Sequence, residues 1–289
     1  RFDPLPLKDL YIKLGRRFEL LGDYESVLRN YAEMNDWAQQ MQDRVMQLAA
    51  LVELTKIRAL PNNAYDPQQA QNLGQQALAL ARELNDRAAE SRVLWALMLL
   101  NVYSMGDILQ AQVNGETALR LARDLNLREQ IAFILTDLWY PCVALGKMPQ
   151  AIAYLEEGQA LWHELHNLPM LAANKSIMSQ AYIWLGECER AIQIAQEAAT
   201  ISDSIHNEEG KTTSAFLLSF AYLEIGDFAR ALDLESVIPL AEKYGLAAFL
   251  VGSRAELGWL HVLLGNLAEA DRMINLAIEV AEVRIQPLA

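Results

Sequence analysis

The sequence contains few of the residues that interrupt helices, build strands or form disulfides. Its 289 residues include only 9 Pro, 14 Gly and 2 Cys, while Ala, Leu, Gln, Glu and Arg are abundant. This composition favours helix over strand on intrinsic propensity. Low-complexity stretches and Ser/Gly linkers are also missing, which argues against disorder. Because 53% of the residues are hydrophobic, the chain can bury a large core, and we expect an all-α fold.

Positive charge is scarce as well. The chain has 24 Lys and Arg against 37 Asp and Glu, which gives a formal net charge of −13. Nucleic acids and anionic membranes are bound by clustered basic residues, so neither is an expected partner. The most apolar stretch, residues 131–145, carries Asp137 and is shorter than the roughly 20 residues that cross a bilayer, so it predicts a core helix.

The residue sets of common catalytic and metal sites are also missing. Cys142 and Cys188 have no partners at metal-ligand spacing, and we expect buried free thiols in a reducing, cytoplasmic compartment. His163 and His166 are three positions apart, whereas a zinc-protease helix places its histidines four apart. No Gly-rich nucleotide loop and no Ser/His/Asp set can be found. We therefore expect no enzymatic activity, no metal and no cofactor.

What the sequence does contain is an internal repeat. A Gly-polar pair is followed, five positions after the Gly, by Ala, at spacings of 40, 40, 40 and 39: Gly106, Gly146, Gly186, Gly226 and Gly265. Gly22-Asp23-Tyr24 and residues 62–67 supply two earlier turns. A second turn falls in the other half of each unit, at Asn85, Asn126, Asn167, Asn207 and Gly245. Two turns per period predict two helices per period, stacked as an array.

Each period therefore predicts one helical hairpin of a single solenoid domain. Gly at the first turn is expected to take the left-handed conformation that ends a helix, and the next Asp, Glu or Asn to cap the following helix. Asn or Gly at the second turn can end a helix in the same way. The seven predicted hairpins cover about 8–37, 38–85, 86–126, 127–167, 168–207, 208–245 and 246–285.

Small residues recur seven positions apart in the second helix of the hairpins. Seven residues make two helical turns, so the two members of a pair lie on one face and permit close helix approach. The pairs are Ala70 with Ala77, Ala111 with Ala118, Ala151 with Gly158, Ala191 with Ala198, and Ala270 with Ala277.

Two segments carry a family resemblance. Tyr182-Ile-Trp-Leu-Gly-Glu-Cys-Glu-Arg-Ala191 and Tyr222-Leu-Glu-Ile-Gly-Asp-Phe-Ala-Arg-Ala231 resemble the centre of the tetratricopeptide repeat (TPR). The period of about 40 exceeds the usual 34, no Pro ends the second helix, and the aromatic residue expected four positions after the Ala is absent. These long repeats resemble the sensor solenoids of MalT-type signal-transduction ATPases (STAND regulators). The resemblance implies a right-handed α-α superhelix whose concave groove binds an effector.

The resemblance also implies that the first helix of each hairpin lines the groove. Counting back about 13, 10, 6, 3 and 2 positions from each turn Gly places an aromatic and apolar lining there, with Val93, Ala96, Leu100, Thr136, Ser176, Ile183 and Leu223 among it. The candidate binding residues are Tyr103, Phe133, Asp137, Tyr140, Gln180, Trp184, Phe216, Phe220, Glu224 and Trp259. An exposed apolar and aromatic surface is typical of an interaction site. The alternative is a tight superhelix in which these side chains only pack on one another.

Three charged residues and one proline stand out in the first helices. Asp137 needs a partner because an unpaired buried carboxylate is costly; a ligand amine, a local cap or a hydrogen bond from a neighbouring repeat would serve. Pro141 should kink the same helix, since it lacks a backbone donor. Arg254 and Glu256 could face a ligand, but ion pairs between repeats or at the surface are the simpler expectation.

Three functions fit these observations. The first is the sensor domain of a larger cytoplasmic signalling or transcription regulator, binding a peptide, protein or small-molecule effector and attached to a nucleotide-binding or effector domain. A start at Arg1 without a leader led us to expect a fragment of a longer protein. The second is an adaptor that assembles proteins or self-associates through its terminal repeats, because the last helix is apolar on several sides. The third is a closed solenoid acting as a spacer.

Overall fold

The computed structural model of the chain describes residues 7–244 and 246–284, with the last two as backbone only. No strand occurs in these ranges, and their helices alternate with short turns, as the repeat predicted. The helices are α1 (Leu7–Leu20), α2 (Tyr24–Gln40), α3 (Arg44–Ala59), α4 (Pro67–Glu83), α5 (Arg87–Tyr103), α6 (Ile108–Asp124), α7 (Arg128–Asp137), α8 (Trp139–Ala144), α9 (Met148–Glu164), α10 (Leu168–Trp184), α11 (Cys188–Ser204), α12 (Glu208–Glu224), α13 (Phe228–Ala231), α14 (Leu234–Tyr244), α15 (Ala247–Leu263) and α16 (Leu267–Arg284).

The chain divides into two compact units, residues 1–147 and 148–289. The sequence led us to expect a single domain, and the division falls inside the fourth predicted hairpin. In the N-terminal unit α1 pairs with α2, α3 with α4 and α5 with α6, and α6 also contacts α7 and α8. In the C-terminal unit α10 pairs with α11, α12 with α13 and α14, and α15 with α16. Within each unit the first helices of successive hairpins also touch, as in α3 with α5 and α10 with α12.

Carboxylate and amide side chains cap the helices at regular positions. Asp side chains accept a backbone N–H at the starts of α2, α3, α4, α5 and α6: Asp23, Asp43, Asp66, Asp86 and Asp107. Asn167, Asn207 and Asp227 do the same for α10, α12 and α13. Each such cap satisfies an N–H that the helix leaves without a partner and contributes about 1 kcal/mol.

The left-handed turn residues are partly those predicted. Gly22, Gly146, Gly186, Gly226 and Gly265 have positive φ angles. Asn85 and Asn126 adopt the same conformation. Gly245 lies outside the described residues.

Three of the predicted turn positions are wrong. Met105 takes the left-handed conformation instead of Gly106. His166 and His206 take it instead of Asn167 and Asn207, which serve as caps. An Asn can fill either of two adjacent roles in such a turn, and here the cap prevails because its side-chain oxygen accepts a backbone N–H.

Three helix boundaries also differ from the predicted ones. The first hairpin ends at residues 41–43 instead of 37, because Gln42 is left-handed and Asp43 caps α3. The core helix predicted for residues 131–145 is divided at Leu138 between α7 and α8. Pro141 lacks the N–H that would bond the Asp137 carbonyl, so the predicted irregularity is present there. The second helix of the hairpin predicted over 208–245 is divided at residues 232–233 into α13 and α14.

Close helix packing uses the small residues of the second helices. Ala70, Ala77, Ala111, Ala118, Ala151, Ala191 and Ala198 are fully buried. The Oγ atoms of Ser91 and Ser179 donate hydrogen bonds of 2.8 Å and 2.9 Å to the carbonyls of Ala118 and Ala191 in the paired helix. Because only small side chains permit these contacts, the seven-residue spacing seen in the sequence reflects the interface within each hairpin.

Two glycines occupy positions where the tetratricopeptide pattern has an aromatic residue. A Cβ on Gly74 would lie 2.6 Å from Leu97 Cδ2. A Cβ on Gly115 would lie 2.4 Å from Met98 Sδ and 2.5 Å from Leu138 Cδ2. The large side chains come from neighbouring helices instead, which explains this departure from the family pattern.

Candidate functional site

The N-terminal unit contains a cavity of about 550 Å³, which we call the N-terminal cavity. Its walls are side chains of α1, α3, α5 and the start of α7, the first helices of four successive hairpins. The lining residues are Arg16, Glu19, Val52, Glu53, Lys56, Ala88, Arg92, Trp95, Leu127, Arg128, Glu129, Gln130 and Phe133. This volume lies within the range of small-molecule and cofactor pockets.

A three-residue ion network forms one wall of the cavity. Lys56 Nζ lies 3.0 Å from Glu19 Oε2 and 2.8 Å from Glu53 Oε2, and Glu53 is buried. Burial would lower the pKa of Lys56, but the carboxylates of Glu53 and Glu19 outweigh it and raise that pKa. Lys56 is therefore charged and already neutralised by α1 and α3 side chains.

Aromatic side chains form another wall. The Trp95 and Phe133 rings lie 5.6 Å apart at an interplanar angle of 39°. Trp95 also donates a hydrogen bond from Nε1 to Asp137 Oδ2 at 2.8 Å. A tilted aromatic pair of this kind is suited to apolar side chains or rings of a ligand.

Asp137 is the most perturbed acid of the site. Burial raises its pKa to about 7, although the hydrogen bond from Trp95 acts in the opposite direction. Its carboxylate has no cationic partner in the part of the chain that the structure describes. Burial, and secondly the charge of Asp137, raise the pKa of nearby Tyr103 to about 12, so that hydroxyl stays neutral. Of the three partners considered for Asp137, the hydrogen bond from a neighbouring repeat is present, and Trp95 of α5 donates it.

The structure separates the ten predicted site residues between the two units. Four of them lie in the N-terminal unit: Tyr103, Phe133, Asp137 and Tyr140. Phe133 lines the cavity, and Asp137 accepts a hydrogen bond from Trp95, which also lines it. The other six lie in the C-terminal unit: Gln180, Trp184, Phe216, Phe220, Glu224 and Trp259.

The C-terminal residues lie on α10, α12 and α15. Phe216 packs on Phe220 and on Phe249, with ring centroids 6.1 Å and 5.7 Å apart, and is partly buried. Trp184 and Trp259 are 44% and 54% exposed, which is high for tryptophan. The C-terminal unit therefore has two partly exposed tryptophan side chains.

The charges of this C-terminal face are mostly acidic. Burial and, secondly, the charge of Glu224 raise the pKa of Glu256. The cations of the three helices are paired elsewhere: Lys175 with Glu197 at 2.6 Å, Lys211 with Asp203 at 2.9 Å, and Arg254 with Glu242 at 2.7 Å. Arg254 thus forms the expected ion pair between hairpins, whereas Glu256 faces another acid.

Several residues predicted to line the groove are core residues instead. Val93, Ala96, Leu100, Thr136, Ser176, Ile183 and Leu223 are buried. The register predicted from the turn glycines was therefore wrong at these residues, which fall at four of the five counted positions.

The sequence analysis missed most of the residues that line the N-terminal cavity, above all Arg16, Arg92 and Trp95. A signal for two of them was present. Counting back 13 and 10 positions from Met105, which is the left-handed residue, gives Arg92 and Trp95, whereas counting from Gly106 gives the buried Val93 and Ala96. Because the left-handed residue is Met105 and not Gly106, counting from Gly106 shifted the predicted lining of α5 by one residue.

Neither a membrane-spanning helix nor a metal site occurs among the described residues. No described helix is long and apolar enough to cross a membrane. Residues 7–244 and 246–284 contain no group of three or more His, Cys, Asp or Glu placed to hold a metal ion.

Comparison with known proteins identifies the fold. No protein-family model and no curated protein matches the sequence. The apo form of RapI is similar with a TM-score of 0.75 at 13% identity, over 95% of this chain and 97% of that chain. A Rap protein complexed with Competence and Sporulation Factor gives 0.75 at 15% identity, over 98% and 78% of the two chains.

A third similar structure bears on the sequence resemblance. The STAND protein with a tetratricopeptide repeat sensor from Pyrococcus horikoshii gives a TM-score of 0.65 at 15% identity, over 96% of this chain and 44% of that chain. Identities this low concern the fold alone. The chain is an all-α array of TPR-like helical hairpins, which confirms the predicted fold class and the resemblance to tetratricopeptide proteins.

Proposed function

We propose that the chain is a non-catalytic binding module that receives a short peptide in the N-terminal cavity. The observation that carries this proposal is the cavity itself, about 550 Å³ in volume and lined by helices from four successive hairpins. One wall offers the Trp95–Phe133 aromatic pair, and Arg16 and Arg92 line the cavity as well. Apolar surface combined with a few polar groups is the usual composition of a ligand pocket.

The structural neighbours support a peptide as the ligand class. One similar solved structure is a Rap protein complexed with Competence and Sporulation Factor, and another is a Rap conjugation regulator in complex with the Phr* peptide. The lining of the N-terminal cavity combines charged side chains with the Trp95–Phe133 aromatic pair. A peptide can satisfy both kinds of surface at once.

We further propose that the module is the sensing part of a larger cytoplasmic regulator. The similar STAND protein carries a tetratricopeptide repeat sensor, and this chain spans 44% of that protein. Peptide binding would then shift an attached effector domain towards one of its two states. The size of the shift is set by the difference between the peptide's affinities for the two states. Full-length sequence upstream and downstream of the chain, with no effector or nucleotide-binding module, would contradict this part of the proposal.

Thermal unfolding with pooled short peptides tests the binding function. A ligand that binds only the folded state raises the melting temperature by an amount that grows with its concentration. We expect a hit whose stabilisation is lost in Phe133→Ala and kept in Trp184→Ala, a matched aromatic truncation in the C-terminal unit. Pools that leave the melting temperature unchanged up to millimolar concentration would contradict the proposal.

An adaptor function is the second candidate, and it is favoured by the C-terminal unit. Trp184 and Trp259 are exposed there, and Ile274 and Ile278 are 41% and 49% exposed on α16. Exposed aromatic and aliphatic side chains are common anchors of protein interfaces. Sedimentation of the protein over a range of concentrations checks self-association: a dimer that Ile278→Asp abolishes would favour this function, and a monomer throughout would count against it.

A further inference from the structure

We propose that the N-terminal cavity recognises a single carboxylate of its ligand, held by Arg16, Arg92 and the uncapped first turn of α7. This proposal rests on the proposed peptide-binding function and adds the chemical class of the group that is recognised. The carboxylate can be the C-terminus of a peptide or an acidic side chain, and both sources share the same chemistry.

The first argument is the state of the two arginines. Neither Arg16 nor Arg92 has an ion pair with any residue that the structure describes, although both line the cavity. Acidic residues outnumber Lys and Arg by 37 to 24 in this chain, so carboxylate partners are plentiful. The neighbouring basic residue of α5, Arg87, does pair, with Asp124 at 2.6 Å. The cavity therefore holds two guanidinium groups with unused donors.

The second argument is the balance of charge around the cavity. Lys56 is neutralised by Glu19 and Glu53. Of the other charged lining residues, Arg16 and Arg92 are basic and Glu129 is acidic, and Arg128 has an interaction of its own. Glu129 is exposed at the first turn of α7. Two guanidinium groups and one first helical turn can bind one carboxylate through charge-assisted hydrogen bonds.

The third argument is the start of α7, whose first residues line the same cavity. The five preceding helices each begin with an Asp cap, whereas the position before α7 is Leu127, which provides no side-chain hydrogen bond. The backbone N–H groups of a first helical turn have no partners within the helix, and the helix dipole favours an anion beside them. A ligand carboxylate would take the place that Asp holds at the starts of α2 to α6.

The fourth argument is a buried side-chain donor beside this turn. Gln130 Nε2 is shielded from solvent and has no hydrogen-bond acceptor among the described residues, while Gln130 itself lines the cavity. An unsatisfied buried donor is unfavourable, and an acceptor supplied by a ligand would remove the cost. Guanidinium, backbone and amide groups that can donate hydrogen bonds therefore border the same cavity, and the Gln130 amide is the one of them that is shielded from solvent without an acceptor among the described residues.

The Trp95–Phe133 pair indicates which chemical group of the ligand lies next to the carboxylate. Arg92 and Trp95 are three positions apart on α5 and therefore lie on one face of the helix, with Phe133 beside Trp95. A ligand group seated on this pair would lie about one helical turn, roughly 5 Å, from the arginine. The preferred group is a carboxylate joined through a short spacer to an apolar or aromatic side chain.

The minimal probe for this arrangement is 3-phenylpropionate, with 3-phenylpropionamide as its neutral counterpart of the same shape. Ligand-observed NMR titration of the whole chain gives both dissociation constants. We expect the carboxylate to bind at least about tenfold more tightly than the amide, because charge-assisted hydrogen bonds are lost with the charge. The double variant Arg16→Gln, Arg92→Gln should remove this preference, and Arg17→Gln, a charge loss on exposed α1 surface outside the cavity, should leave it unchanged.

Two results would overturn the inference. Equal binding of the two probes, or a carboxylate preference that survives in the double variant, would show that the arginines do not recognise the charge. Failure of both probes to bind would also overturn it. If a peptide from the thermal screen still binds in either case, the carboxylate inference fails while the proposed peptide-binding function stands.

The peptide hit then distinguishes the two sources of the carboxylate. Loss of binding on C-terminal amidation assigns it to the C-terminus, and loss on Glu→Gln or Asp→Asn substitution in the peptide assigns it to a side chain. Both results support the inference. A hit that tolerates all of these changes contradicts it.

Discussion

The indole Nε1 of Trp95 donates a hydrogen bond to Oδ2 of Asp137 at 2.8 Å and thereby joins α5 to the end of α7. Trp95 is also a wall of the N-terminal cavity. The side chain that would contact a ligand is therefore positioned by an acid whose pKa lies at about 7. Because the bond is stronger to a carboxylate than to a neutral carboxyl group, the ionisation of Asp137 is coupled to the packing of this wall.

The Asp137 carboxyl group should lower the stability of the fold as pH rises towards 7. Burial raises its pKa from an ordinary value of 3.8 to about 7, so between these values the folded state holds a proton that the unfolded state releases. The stability contributed by Asp137 is therefore full below about pH 4 and is lost by about pH 7, by up to about 1.4 kcal/mol per pH unit. Asp137→Asn keeps an oxygen acceptor without the charge.

Urea unfolding of the wild type and Asp137→Asn checks this difference. The sequence pI of 4.8 limits work at lower pH, so the comparison is made at about pH 6 and pH 8. We expect the free energy of unfolding of the variant, relative to the wild type, to rise by about 1 kcal/mol between the two. A difference in the free energy of unfolding that is the same at both pH values would mean that Asp137 has its ordinary pKa in the folded protein.

Replacing Trp95 with Phe should destabilise the protein more when Asp137 is ionised. The substitution keeps an aromatic ring but removes the N–H donor, which leaves a carboxylate without its hydrogen bond. We expect a loss of about 1–3 kcal/mol at pH 8 and a smaller loss at pH 6. Urea unfolding of Trp95→Phe, Asp137→Asn and the double variant measures the coupling, and additive effects would contradict a direct interaction.

Gly115→Ala should lower stability although Ala is the better helix former. The new Cβ would lie 2.4 Å from Met98 Sδ and 2.5 Å from Leu138 Cδ2, and both side chains are fully buried. Overpacking of this kind costs about 1–3 kcal/mol, which exceeds the gain of up to about 1 kcal/mol from replacing Gly in a helix. Calorimetry should show a lower melting temperature than for Arg120→Ala, an exposed change in the same helix. An unchanged or higher melting temperature would mean that α5, α6 and α8 are less tightly packed.

Both cysteines should be unreactive in the folded protein. Cys142 and Cys188 are free and buried, as the sequence predicted. Burial, followed by the charge of Glu116, raises the pKa of Cys142 to about 11, so its nucleophilic thiolate is scarce at pH 8. A thiol-reactive dye should label neither residue until denaturant is added. Rapid labelling of Cys142 under native conditions would show that α8 opens locally.

The repeat was predictable from sequence because Gly recurs at five of the left-handed turns between helices. Gly22, Gly146, Gly186, Gly226 and Gly265 all have positive φ, where a Cβ is unfavourable. The Ala pairs were equally informative, since helix contact leaves no room for larger side chains. A period marked by these two features predicts the number of helices and the face on which the two helices of a hairpin contact each other.

The cavity was less predictable because it depends on how each helix is rotated against its neighbours. A shift of one residue at Met105 turns a helix position by 100°, which separates Arg92 and Trp95 on the wall from Val93 and Ala96 in the core. Arg16 contributes from α1, 76 positions before Arg92 in the chain. No local pattern relates two residues so far apart, and only the stacking of hairpins brings them together.

Hydrogen exchange with and without a saturating peptide hit tests most directly whether the N-terminal cavity is the binding site. The backbone amides of Glu129 and Gln130 lie in the first turn of α7, where a helix supplies no acceptor, so they should exchange rapidly in the free protein. We predict that the peptide slows exchange at residues 127–131 and in the cavity-lining parts of α3 and α5. Protection confined to α10, α12 and α15, with residues 127–131 unchanged, would contradict the proposed site.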